Sequence, residues 1–146
     1  MKAWLKLSCA VFALILYSCL GGVDPDSVIT YNKSKNSIFS VISNSDDMSG
    51  SNYYNEFRDG QKTEKNTAFI FEEIKPNAKY MNHDRPRFWK PFFESSKDKK
   101  LRLFIIEKDS VDKYGWRQIF KKQIYNKKFS LSREDLETLN WQVTYE

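Results

Sequence analysis

The 146-residue sequence predicts a mainly β fold, an antiparallel or mixed β-sandwich with one or two short helices near the C-terminus, preceded by a signal helix. Three observations carry that reading. Short runs rich in Val, Ile, Phe and Tyr recur early and late in the chain, punctuated by Asn, Ser, Lys, Gly and Pro. One of them, Leu101 to Asp109, holds Leu103, Phe104, Ile105 and Ile106 in a row, as a strand covered on both faces does. The regular ten-residue helices that a doubly wound sheet needs between its strands are missing from the pattern.

The N-terminus comes first. Lys2 and Lys6 precede an uncharged stretch, residues 7–20. As a helix this stretch spans roughly 21 Å, short of the roughly 30 Å hydrocarbon core, so a cleaved leader fits better than a permanent span. Leu16-Tyr17-Ser18-Cys19 resembles the lipobox of bacterial lipoproteins, in which cleavage falls just before the cysteine and its thiol is acylated; Tyr17 is bulkier than the residue usual there. Two or more acyl chains give lasting anchorage, at about 0.8 kcal/mol per buried methylene. The alternative is an ordinary secretory signal cut at Gly21 or Gly22. In both cases Cys9 leaves with the leader, which excludes an internal disulfide, thiol catalysis or a cysteine metal site in the folded part. The expected organisation is a signal peptide over residues 1–18, an anchor and tether over 19–27, and a single β-rich domain over 28–146.

Removing residues 1–18 takes two lysines and no acid, leaving a formal net charge of +3 against +5 for the whole chain. That is too weak to argue for nucleic acid. The 20 aromatic residues that follow the leader argue for a packed domain and against a disordered stalk.

Along the domain, VITYN (28–32) and SIFSVIS (37–43) read as two strands around a polar turn, hence a hairpin. Residues 44–66 form a long polar loop with Gly50, Gly60 and the tyrosines Tyr53 and Tyr54. TAFIFEEI (67–74) is a further strand, stopped by Lys75-Pro76-Asn77, with KYMN (79–82) after the turn. From His83 to Lys100 two prolines, Pro86 and Pro91, forbid a long helix and leave a single turn or an irregular aromatic segment. After the central strand, Trp116, Ile119, Phe120 and Gln123 fall at helical spacing, with Gly115 weakening the first half of that helix. QIYNKKFSL (123–131) reads as a strand, and Ser132 with Asp135 stands at capping-box spacing before Leu136 and Leu139. WQVTYE closes with Trp141, Val143 and Tyr145 alternating against polar neighbours, a half-buried strand.

The C-terminal third resembles a family of small Bacteroidetes lipoproteins without an assigned activity. Its marks are an apolar strand, a helix carrying a tryptophan, a segment "sLsxeDL" and a closing "LNWxxxYP". The matching residues are Leu103-Phe104-Ile105-Ile106, Trp116-Arg117-Gln118-Ile119, Ser130 to Leu136 and Leu139 to Tyr145, with Glu146 where the family has proline. VITYNKSKNSIF fits the opening "strand, Asn-x-Ser turn, strand". This resemblance implies a Gram-negative cell envelope, with a lipid anchor in the outer membrane on the periplasmic or surface side.

Chemistry is sparse. His83 stands beside Asp84 and Arg85, but a general base needs a partner facing it, which sequence neighbours seldom provide. Asp46-Asp47 with Asn44 and Gly50 lacks the alternating ladder of a calcium loop, because Met48 takes a liganding position. One histidine and no domain cysteine cannot make the usual zinc site. Glu72-Glu73 would point to opposite faces of a strand, and Glu134-Asp135 belongs to a helix start. The expectation is therefore no catalytic residue, no metal and no cofactor. Cys19 is the lipidation site, and Tyr53, Tyr54, Trp89, Phe92 and Phe93 are the candidate binding surface, with Trp89, Phe92 and Phe93 equally readable as a core plug alongside Phe88. The expected role is a non-enzymatic binding or scaffolding domain held at the membrane by its lipid, with an envelope protein or glycan as partner. An envelope hydrolase using His83 and nearby carboxylates is the alternative; an inhibitor of a partner enzyme is not separable from the first role.

Overall fold

In the structure, a computed structural model, residues 27–51, 71–82 and 89–146 are described. Two three-stranded sheets form its framework. Strands β1 (Ile29–Asn32), β3 (Lys79–Met81) and β6 (Gln142–Tyr145) form one sheet in the order β3-β1-β6, with β3 antiparallel and β6 parallel to β1. Strands β2 (Ile38–Ser43), β4 (Leu101–Glu107) and β5 (Lys127–Leu131) form the other, antiparallel throughout, in the order β2-β4-β5. Three helices accompany them among the described residues: α1 (Trp89–Ser95), α2 (Lys108–Lys122) and α3 (Arg133–Thr138). The fold is mainly β with short helices, as the strand-rich sequence predicts.

Period-two alternation in β4 decides the layering. Leu101, Leu103 and Ile105 join Ile38, Ile42, Val28 and Val143 in a core between the two sheets. Phe104 and Ile106 point the other way and meet Phe39, Val41 and one face of α2, formed by Trp116, Ile119 and Phe120. The consecutive apolar residues of β4 thus have an apolar layer on each side, and residues 101–106 are all buried. The Trp116, Ile119, Phe120 spacing read from the sequence is the stripe that covers the sheet.

Helix α2 begins at Lys108, directly after β4, and Gly115 breaks it with φ 68° and ψ 157°. Side chains other than glycine avoid that backbone region. Gly115→Ala is therefore expected to lower stability by about 1–3 kcal/mol, read from urea unfolding midpoints. A neutral substitution would mean that the break is not imposed by the fold.

Helix α1 carries Pro91 in its first turn, where no backbone N–H is needed. Its Trp89 and Phe93 enter the core between the sheets. Helix α3 opens with the predicted capping box, Ser132 Oγ accepting from the Asp135 N–H while the Asp135 carboxylate accepts from the Ser132 N–H. After α3, Asn140 and Trp141 both take positive φ, 50° and 57°, and this reversal starts β6. A left-handed conformation costs a residue such as Trp about 1–2 kcal/mol. Burial of the Trp141 indole, 5.0 Å from the Trp89 ring, offsets it.

Three expectations need revision or narrowing. The β1–β2 hairpin does not form, because the two strands lie in different sheets. Asn32 explains the change of direction: its side-chain N–H groups donate to Asn36 O and Ile74 O, and its Oδ1 accepts from the Ser34 N–H and hydroxyl. The turn is thereby fastened to residues 74 and 36 and directs the chain into the second sheet. Of the 67–74 strand, residues 67–70 lie outside the described residues, and Ile74 makes only an isolated bridge to Ile38. Glu72 and Glu73 lie outside any strand and are both exposed. Among the described residues no helix is long and apolar enough to cross a membrane.

Candidate functional site

Strand β2 ends at Ser43 beside Arg102, its partner in β4. Past that point the chain has no strand to continue, and SNSDDMSGS folds on its own side chains. Asp47 caps a 3-10 turn, Met48–Gly50, by accepting from the Ser49 N–H, and it also takes the Ser45 hydroxyl. Ser43 Oγ donates to Asp47 O at 2.6 Å. Ser and Asp at alternate positions close such turns locally. Met48 plugs into the core under α2, and its N–H donates to Gln123 Oε1 at 2.7 Å. Gly50 is required by close approach: a Cβ there would lie 2.7 Å from both Ser43 Oγ and the Ser45 backbone nitrogen.

Opposite this turn stands the connection from α1 to β4. Ser96 Oγ donates to Lys100 O at 2.8 Å, and Ser95 Oγ donates to Phe92 O while accepting from Asn44 Nδ2. The two connections frame a surface cleft of about 500 Å³, lined by Asn44, Ser45, Asp46, Ser95, Ser96, Lys97, Asp98 and Arg102.

Arg102 forms its base. Its side chain is only 7% exposed, at the end of the row that Phe104 and Ile106 continue beneath α2. Such a guanidinium requires partners on its donors. Asp98 supplies a two-pronged contact, Nη1 to Oδ1 at 2.7 Å and Nη2 to Oδ2 at 2.6 Å, and Lys100 O accepts a further bond. Asp46 lies 3.4 Å away and also binds Lys128 at 3.0 Å.

The charges are held in one state. The Arg102 bond keeps the Asp98 carboxyl well below its ordinary value, and the hydrogen bond from the Lys128 ammonium lowers that of Asp46. Arg102 is pushed up by Asp98. Because both carboxyls titrate below 3.8 when folded, the unfolded chain binds protons more readily. Their contribution to stability is thus complete well above that pH and is lost as the pH falls through the folded values. Asp98→Asn should flatten the acid side of the stability–pH curve, measured by urea melts at successive pH values. An unchanged acid limb would mean that the pair is not stabilising.

The sequence-read candidates fall differently. Cys19, Tyr53, Tyr54, His83 and Phe88 lie outside the described residues. Trp89 and Phe93 are 4% and 6% exposed and belong to the core, so of that trio only the half-buried Phe92 is partly open to the surface. Glu134 and Asp135 serve the helix start. Asp46 and Asp47 take different partners, and among the described residues no three His, Cys, Asp or Glu side chains converge on a common point. In the sequence Arg102 carries a single signal, a lone charge inside an apolar strand four residues after Asp98.

No family model, curated protein or solved structure matches the chain.

Proposed function

We propose that this chain is a lipoprotein of a Gram-negative envelope, anchored in the outer membrane through acylated Cys19, and that its domain is a non-enzymatic binding or scaffolding module. What carries the reading is the fixed charge of the cleft between residues 44–46 and 95–98. General acid–base work needs a group that changes charge near the working pH. Here Arg102 is bonded to Asp98 and Lys128 to Asp46, and both carboxyls are held below their ordinary values. Preset charges with the hydroxyls of Ser45 and Ser95 and the Asn44 amide suit recognition of a polar partner, an envelope protein or a glycan. The anchor is supported by Lys2 and Lys6, the uncharged stretch and the Leu16-Tyr17-Ser18-Cys19 segment, and by the short link to buried Val28.

Two measurements test this. Metabolic labelling with a palmitate analogue should mark wild type and leave Cys19→Ala unmarked; equal labelling of both would remove the anchor. A photoactivatable residue replacing exposed Lys97 should capture one discrete envelope species in intact cells. The same residue at Lys113, on α2 beyond the other end of β4, should capture none. The same adduct at both positions, or none at either, would overturn the cleft as contact surface.

A further inference from the structure

The sheet β3-β1-β6 turns one face inward and leaves the other outward. Thr30 and Asn32 are buried, so Ile29 and Tyr31 point away from the core. Register sets Ile29 beside Met81 and Tyr31 beside Lys79 on the same outer face. Met81 is 50% exposed. The ammonium groups of Lys79 and Lys33 stand 5.1 and 5.6 Å from the centre of the Tyr31 ring. Lys35 follows on the exposed turn. The three strands carry no acid, and Glu146, just beyond β6, is paired with Lys33 at 3.5 Å.

Apolar Ile29 and Met81 thus mark one end of the face, an aromatic ring its middle and lysines the other end. Met adapts to irregular apolar surroundings, Tyr favours the boundary between headgroups and acyl chains, and Lys stems extend along apolar surface to reach phosphates. Chain length limits how far the domain can stand from the lipid. Residues 20–26 join Cys19 to Ser27, a reach of at most about 29 Å, whereas a compact domain of residues 28–146 is roughly 35 Å across. The strand reached first from the anchor is β1, the middle strand of this sheet.

We propose that the outer face of sheet β3-β1-β6 rests on an anionic lipid surface, with Ile29 and Met81 entering the headgroup boundary and Lys33, Lys35 and Lys79 meeting lipid phosphates. The proposal rests on the anchoring of Cys19, and the experiment separates the two. The full acylated chain is reconstituted into vesicles of phosphatidylethanolamine and phosphatidylglycerol, or of phosphatidylcholine alone. An environment-sensitive fluorophore is attached at Met81→Cys or, as a control, at Lys113→Cys. Flotation with the vesicles reports the anchor; the fluorophore reports the face.

The expected result is flotation in every case and a blue-shifted, quencher-protected signal at position 81 only on the phosphatidylglycerol vesicles, with position 113 remaining water-like. Adding Lys33→Glu or Lys79→Glu should lower the docked-to-free ratio by about fivefold or more for each lysine removed. Flotation with a water-like signal at position 81 on both vesicles overturns the docking and leaves the anchor standing. Protection that is independent of lipid and grows with protein density overturns it in favour of a second copy. Failure to float removes the anchor and the docking together.

Discussion

Phe104→Ala is expected to lower the stability of the folded chain by about 3–5 kcal/mol, the range for deleting a buried aromatic ring. Phe104 is 0% exposed in the central strand of the β2-β4-β5 sheet, between Val41 and the stripe of α2. Strands pair on both sides of it and a helix covers it, so the surroundings have little freedom to collapse into the space vacated. Its neighbour Ile105 faces the opposite core, where Ile105→Val should cost about 0.5–1.5 kcal/mol. Significant losses at two successive positions are the mark of a strand covered on both faces, since one face of a half-covered strand would be indifferent. Urea unfolding followed by tryptophan fluorescence reads both; a loss below about 1 kcal/mol at Phe104 would contradict the layering.

Asn82→Ala should cost about 2–4 kcal/mol, a large effect for a polar side chain. Asn82 is 2% exposed and ties the two sheets together. Its Nδ2 donates to Val28 O at 2.8 Å and Thr30 Oγ1 at 2.9 Å in β1 and just before it, while its Oδ1 accepts from Ser40 Oγ in β2 at 2.5 Å. Truncation leaves two buried hydroxyls, on Thr30 and Ser40, without this partner, and it is the stranded groups that are costly. Combining it with Ser40→Ala removes one of those hydroxyls. The double variant should therefore lose less than the sum of the two single losses, by about 0.5 kcal/mol or more. Strict additivity would show that the two side chains do not depend on each other.

Local signals in the sequence were legible where one element satisfies itself. The Ser132–Asp135 capping box, the alternation of residues 141–145 and the apolar run of β4 each state their structure within a few residues. Pairing was less so. The Val, Ile and Tyr of residues 28–32 announce a strand but not its neighbours, and its partners prove to be residues 79–81 and 142–145. The cleft was hidden for the same reason. Arg102 looks like an ordinary polar position on a strand until the chain brings Asp98 from one connection and Asp46 from another to its guanidinium. The aromatic cluster at residues 89–93 reads equally as a platform or a plug, and only the packing of Trp89 against Trp141 places it inside.

The parallel contact between β1 and β6 joins the first and last strands of the described residues, Thr30 opposite Val143. So large a separation in sequence makes for high contact order and slow closure. A polypeptide threaded through a pore from its N-terminus would hold β1 with one side unpaired until residues 142–145 had passed through. The closing step of this sheet therefore waits for the last of its three strands.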